Sequence, residues 1–275
     1  MDLYTSNALK CSKSTTLNYT TSFSIGVGLL NKKIRPAIYA IYAFVRFADE
    51  IVDTFFEQDR EKLLKKYADD TYKAIEEKFS TNPILHSFQW AVNKYKIEHN
   101  LIESFLYSME MDLYKTSYNK NEYQRYIYGS AEVVGLMCLK AFCYNNSESY
   151  DQLKYPAQKL GEALQKVNFL RDMKSDYHDR GRVYFPDVEY DSFNEKTKKA
   201  IEEDIKQNFM EAFNGIRRMN KNSRLGVFLA YSYYIKLFEK IRKTTPDKLL
   251  QKRIRISNPY KVIIFIKCYI QNMFF

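Results

Sequence analysis

One stretch constrains this chain more than any other: Tyr42-Ala-Phe-Val-Arg46-Phe-Ala-Asp49-Glu-Ile-Val-Asp53. Phe44, Val45, Phe47, Ala48, Ile51 and Val52 make it read as a buried helix. Residues three or four apart share a helix face, so Tyr42, Arg46, Asp49 and Asp53 form one polar ridge within that apolar surround. Charges buried without partners are costly. A pair of surface ion pairs is the plain alternative, and the crowd of apolar neighbours weighs against it. The ridge therefore calls for a polar counterpart elsewhere in the chain.

Gln165-Lys-Val-Asn168-Phe-Leu-Arg171-Asp172-Met-Lys-Ser-Asp176 supplies one. Gln165, Asn168, Asp172 and Asp176 again fall on one helical face. Two helices that offer Asp pairs to each other make an oxygen-lined cleft. Such a donor set suits a hard cation, and Mg²⁺ binds through one or two carboxylates, waters and substrate phosphates. The spacing thus points to a Mg²⁺–diphosphate site between two helices.

The 275 residues suffice for one large helical domain or two small ones. With 24 Tyr and 19 Phe the chain can bury a sizeable core, and only 8 Gly and 6 Pro argue against a turn-rich β fold. The four Cys lack a Cys-x-x-Cys pair and the three His lie far apart, which disfavours a zinc site or a disulfide framework and fits a reducing, cytoplasmic setting. The N-terminus shows no signal-peptide pattern, and no apolar run is long enough to span a bilayer. Asn18-Tyr-Thr20 and Asn145-Asn-Ser147 read as chance glycosylation sequons.

The net charge of +10 is concentrated. Nine Lys or Arg and one acid fall between Lys240 and Lys267, a net +8. No nucleic-acid motif accompanies them, so nucleic acid is not expected as a partner. Val262-Ile-Ile-Phe-Ile266 and Met273-Phe-Phe275 point instead to the surface of an anionic membrane. A last helix packed on the body with a solvated basic face is the competing reading.

Taken in order, residues 1–17 read as an irregular lead-in. Thr20-Thr-Ser22-Phe23-Ser24 reads as a hydroxyl-rich helix start able to hold an anion or simply to cap. Arg35-Pro36 opens the first Asp-bearing helix, to about Phe56. An amphipathic helix covers 59–79, and further helices 83–97 and 100–117. The latter carries Asp112, which either faces the cleft or lies on the surface. Tyr123 to Tyr144 is nearly all apolar, with Gly129, Ser130, Ala131 and Gly135 among its residues. Small residues cost helix stability, so something approaches closely there, either a hydrocarbon chain or a neighbouring helix. Residues 148–177 form the second Asp-bearing helix, with Pro156 inside. A loop to Pro186 follows, where Arg180, Arg182 and Tyr184 can fold over a diphosphate. Helices 195–219 and 223–243 and short C-terminal helices complete one all-α domain, a single helical bundle.

At these residues the chain resembles the phytoene/squalene synthase family, nearest in wording to its bacterial phytoene synthase branch. Asp49-Glu-Ile-Val-Asp53 matches the first motif. Asn168-Phe-Leu-Arg-Asp172-Met-Lys-Ser-Asp176 matches the second, with Arg182-Val-Tyr-Phe-Pro186 behind it. Thr21-Ser-Phe-Ser24 resembles the family's diphosphate-contacting segment and Tyr126-Ile-Tyr-Gly-Ser-Ala-Glu-Val-Val-Gly135 its central helix. The match runs over about 15–245, leaving 246–275 as a basic, apolar extension. Ser175 stands where many relatives carry an acid.

The resemblance implies a bundle of the isoprenoid synthase type with a central cavity, and head-to-head condensation of two geranylgeranyl diphosphates through prephytoene diphosphate to phytoene. It implies Mg²⁺ or Mn²⁺ on Asp49, Asp53, Asn168, Asp172 and Asp176, with Tyr42 and Arg46 at the chemistry and no NADPH. Substrate contacts are implied for Ser22, Phe23, Ser24, Tyr42, Arg46 and Tyr126. Ala131, Val134, Gly135, Gln165, Asn168, Arg171, Arg182, Tyr184 and Tyr234 complete that set. A peripheral membrane position and a monomer are expected. The rivals are a squalene or dehydrosqualene synthase acting on farnesyl diphosphate and a non-catalytic, membrane-associated isoprenoid-binding or assembly protein.

Overall fold

The computed structural model describes residues 1–144 and 146–272, with Ser147 and Glu148 described in backbone only. In chain order its helices are α1 (Leu3–Tyr19), α2 (Ser22–Gly28), α3 (Arg35–Asp53), α4 (Arg60–Glu77), α5 (Pro83–Tyr95), α6 (His99–Tyr114) and α7 (Lys120–Ile127). A π-helical turn, Tyr128–Glu132, joins α7 directly to α8 (Val133–Phe142). Then come α9 (Ser147–Arg180), α10 (Glu195–Arg218), α11 (Lys221–Arg242), α12 (Pro246–Gln251) and α13 (Asn258–Gln271). The all-α expectation holds: no strand occurs among the described residues, only an isolated bridge between Ser117 and Val183.

The expected lead-in at 1–17 is instead helix α1. Asp2 caps it, accepting from the Thr5 amide at 2.8 Å. Its inward face is Thr5, Ala8, Leu9, Ser12 and Thr16. All but Leu9 are small or hydroxyl-bearing, so the hydrophobic period that marks a helix is faint. The hydroxyls are satisfied across the interface with α5: Ser12 bonds Ser87, and Thr5 Oγ1 lies 3.0 Å from His86 Nε2. The Ser80 amide donates to His86 Nδ1 and Thr5 Oγ1 donates to Asp2, so Nε2 carries the imidazole proton. Burial lowers the His86 pKa against the pull of Asp2. The native state thus holds His86 neutral where the unfolded chain takes up a proton, and stability is lost as pH falls below about 6.5. His86→Gln should flatten that acid limb in thermal melts between about pH 5 and 7. An unchanged limb would remove His86 from the account.

Helix α3 carries Pro36 in its first turn, where a missing N–H costs nothing. Its buried side includes Ile38, Ile41, Phe44 and Ala48, and Phe44 stacks on Phe88 of α5 at 3.8 Å between ring centroids. The helix ends at Asp53 rather than Phe56, with Thr54 outside it. Phe47, expected among the burying residues, is exposed. The polar ridge is therefore partly open to solvent instead of lying in a closed core, the Arg46 and Asp49 side chains being 30% and 32% accessible.

Around the π turn the choice between a hydrocarbon and a packed helix resolves in favour of the helix at two glycines. A Cβ on Gly129 would meet the Ser104 carbonyl of α6 at 2.3 Å. One on Gly135 would meet the Ala157 carbonyl of α9 at 3.1 Å. Ala131 is likewise covered, its own carbonyl facing Gly161 of α9. Val134 is half-buried on the main core. Tyr126 and Ile127 belong to a core with Val167, Phe169, Leu170 and Phe209, whereas Val133, Leu136 and Met137 belong to the one containing Phe44 and Phe88.

Helix α9 runs past the expected end at 177 to Arg180, where Gly181 takes a left-handed φ of 65°. The C-terminal extension joins the body: Ile264 and Cys268 of α13 are buried, and Tyr233 of α11 donates to the Lys261 carbonyl at 3.0 Å. Among the described residues no helix is long and apolar enough to cross a membrane. Met273-Phe-Phe275 lies outside the described residues.

Candidate active site

The two Asp-bearing helices face each other, and arginines stand between them. Arg180, in the last turn of α9, meets Asp53 of α3 through Nε at 3.3 Å and its own neighbour Asp176 through Nη1 at 3.0 Å. One guanidinium thus spans both motifs. Arg182, just beyond Gly181, adds Nη1 to Asp53 at 2.8 Å. Asp53 ends α3, where the helix dipole disfavours an acid, so two cations at that spot stabilise it. Arg180 was expected in a loop over the cleft, but as the last helical residue it sits lower, against the carboxylates.

Asp172 is held by Arg171 and, unexpectedly, by Arg253 from the segment after α12, with Nε 2.7 Å from Oδ1 and Nη2 3.2 Å from Oδ2. Arg253 carries no local sequence signal, since 81 residues separate it from its partner. The contact is bidentate but half-exposed, so screening weakens it. Arg253→Gln should lower turnover by about tenfold, less than loss of a buried electrostatic group. Steady-state kinetics with saturating metal would check this.

The upper ridge is also arranged. Arg46 pairs with Glu50, approaches Asp49 at 3.9 Å and stacks over the Tyr19 ring at 4.5 Å. Glu50, one position off the ridge, is thus tied to it. Phe23 stacks on Tyr42 at 5.0 Å, which brings the start of α2 to α3. The Ser24 hydroxyl turns back to the Thr20 carbonyl at 2.6 Å and is taken, leaving Ser22 as the half-buried hydroxyl of that turn. Tyr234 of α11 donates to Asn168 Oδ1 at 3.1 Å, and Asn168 donates to Gln165 at 3.4 Å.

Asp112 is not on the surface. It is 6% exposed, and its carboxylate accepts from Tyr126 at 2.9 Å, Tyr118 at 3.3 Å and Tyr184 at 3.4 Å. Arg182 Nη2 donates to the Asp112 main-chain carbonyl at 2.7 Å. Tyr126 and Tyr184, expected at the substrate from the sequence, are buried. Their hydroxyls are committed to Asp112, their rings stack on each other, and Tyr184 also stacks on Tyr118 and Phe169. Tyr184 and Asp112 hold Arg182, which in turn holds Asp53.

The electrostatics favour added positive charge. Burial, with Asp53 and Asp112 nearby and Arg46 opposing, pushes Asp49 up to about 8. Burial and Asp172, against Arg180, push Asp176 up to about 7. Burial lifts Asp112 to about 6 despite Arg182. For Arg182 burial works against the charge, but Asp112, Tyr184 and Asp53 outweigh it and hold the guanidinium well above its usual range. Asp49 nevertheless keeps 32% of its side chain accessible, so a ligand can reach it. Nε of Arg46 and of Arg180 are buried without a hydrogen-bond partner. Guanidinium nitrogens beside crowded carboxylates, with oxygen as the donor atom of every acid, fit an anion carried with hard cations. Among the described residues the acids are not drawn into a ready metal cluster, because arginines partner them.

The Squalene/phytoene synthase family profile matches residues 17–260. A 4,4'-diapophytoene synthase of Staphylococcus haemolyticus is 29% identical over 263 residues, covering 87% of this chain and 88% of that protein. The chloroplastic phytoene synthase 2 of Solanum lycopersicum is 26% identical, covering 93% and 87%. In fold, the chain superposes on a dehydrosqualene synthase solved with a ligand at a TM-score of 0.83, with 20% identity and 98% of both chains covered. With the profile spanning both Asp motifs and most of the bundle, the chain belongs to the squalene/phytoene synthase family.

Proposed function

We propose that this protein condenses two geranylgeranyl diphosphates head to head, through prephytoene diphosphate, to phytoene. The observation that carries the reading is Arg180 in contact with both Asp53 and Asp176, which sets the two Asp motifs across one cleft. Asp49, Asp53, Asp172 and Asp176, with Asn168 beside them, would hold Mg²⁺ or Mn²⁺. The bound cations would neutralise diphosphate charge and make it a competent leaving group. Arg46, Arg171, Arg180, Arg182 and Arg253 add fixed positive charge where diphosphate oxygens gather.

Ionisation of one substrate releases diphosphate and leaves an allylic cation. The double bond of the second attacks it, and loss of a proton closes the cyclopropane. A second ionisation, rearrangement and proton loss give phytoene without a hydride, so NADPH is not consumed. Tyr42 and Phe23, stacked on each other beside the ridge, offer π faces to the cation and exclude water. Tyr234 orients Asn168.

A second reading, two farnesyl diphosphates giving the shorter diapophytoene, is favoured by the name of the staphylococcal relative. Purified protein given each diphosphate with Mg²⁺, with and without NADPH, separates them by product mass. Phytoene from geranylgeranyl diphosphate, unchanged by NADPH, is the expected result. Hydrocarbon from farnesyl diphosphate alone would transfer the assignment to the second reading. No hydrocarbon from either would overturn both.

A further inference from the structure

The last helix has two apolar faces where a surface helix has one. Ile264 and Cys268 of α13 point into the body and are 4% and 2% exposed. At 100° per residue the opposite side carries Val262, Ile263, Ile266, Tyr269 and Ile270, each between 46% and 57% exposed. A solvated terminal helix would place charge there. Instead Lys261 and Lys267 flank the stripe, and α13 contains no acid. The segment leading into it exposes Lys252 and Arg255, and Lys240 of α11 is tied to the Arg255 carbonyl at 2.7 Å. That contact ties Lys240 to the basic segment that leads into α13.

We propose that the outward face of α13, with the basic segment before it, docks the protein on an anionic phospholipid bilayer. Fourteen residues make a helix of about 21 Å, shorter than the hydrocarbon core, so α13 lies along the surface and does not cross. Its large apolar side chains enter the headgroup boundary, while lysines and arginines beside them meet lipid phosphates. Tyr269 has the amphipathic ring that suits this depth. A second copy of the chain is the poorer occupant. A two-fold contact through this face would set one segment of net +8 against its twin. The inference does not depend on which diphosphate the cleft takes.

Flotation of the full chain with vesicles tests it, using phosphatidylcholine alone or mixed with about one-third phosphatidylglycerol. Wild type should bind the anionic vesicles at least about tenfold better than the neutral ones, and salt should weaken that preference. Val262→Ser/Ile266→Ser/Ile270→Ser alters only exposed positions. It should keep its melting temperature and lose at least about tenfold in vesicle binding. Lys261→Gln/Lys267→Gln should lose the preference for anionic lipid while retaining residual apolar binding. Absence of wild-type flotation, or equal flotation by the serine variant, overturns the proposal. A concentration-dependent dimer abolished by the serine variant, with no vesicle binding, assigns the face to a second copy and also overturns it.

Discussion

Asp53→Asn is expected to lower kcat/KM by about 10²-fold or more, the loss typical of one preorganised electrostatic group. The substitution keeps the size of the side chain and removes its charge. Asp53 is the point where Arg180 and Arg182 converge on α3, so its neutralisation undoes the pairing that sets the two motifs across the cleft. Asp172→Asn, which releases Arg171 and Arg253, should cost a similar amount. Glu50→Gln should cost less, because Glu50 reaches the ridge only through Arg46. Turnover assayed over a range of Mg²⁺ concentrations checks all three. Near-wild-type rates for Asp53→Asn or Asp172→Asn would end the ligand assignment.

Arg182→Ala is expected to be the most destabilising single change at the site. The side chain is 4% exposed and joins Asp53, Asp112 and the Tyr184 hydroxyl. Its removal leaves the Asp112 carboxylate buried with only tyrosine hydroxyls around it. Breaking a buried pair in this way costs about 3–5 kcal/mol. At roughly 2–4 °C per kcal/mol for a chain of this size, the melting point should fall by about 10 °C. The loss should deepen with pH. Burial already lifts Asp112 to about 6, above its ordinary value. A carboxyl raised in the folded state stabilises below its unfolded pKa, and that contribution disappears as pH rises through the folded value. Loss of Arg182 raises the folded value further, so melts at pH 8 should suffer more than melts at pH 6. Adding Asp112→Asn should recover part of the deficit, measured as a double-mutant cycle. A strictly additive cycle would show that the two side chains act independently.

The parts of this molecule legible in the sequence are those where chemistry repeats at the helical period. Tyr42, Arg46, Asp49 and Asp53, like Asn168, Asp172 and Asp176, are charged or polar at spacings of three and four inside apolar segments, and α3 and α9 follow. Helix α1 escaped because its inward side uses Thr5, Ser12 and Thr16 in place of large apolar groups. The end of α9 was placed early, although Gly181 at a left-handed C-cap marks the true stop. The burial of Asp112 and the reach of Arg253 depend on tertiary neighbours. Tyr118, Tyr126 and Tyr184 are spread over the sequence and meet only when α6, α7 and the strand-like bridge at Val183 come together. Gly129 and Gly135 signalled close approach correctly, but their spacing does not say whether a lipid tail or a helix approaches.

The π turn between α7 and α8 bears on what changes in length this protein tolerates. Its additional residue turns everything after it by about 100° relative to everything before. That offset is why Tyr126 can reach Asp112 while Leu136 and Met137, on a nearly continuous rod, fill the other core. Deleting any one residue from 128–132 would give a more regular helix and aim one of its halves at the wrong neighbours. A one-residue deletion there should therefore cost more than replacement of a side chain, Gly129 excepted, where the Ser104 carbonyl leaves no room for a Cβ.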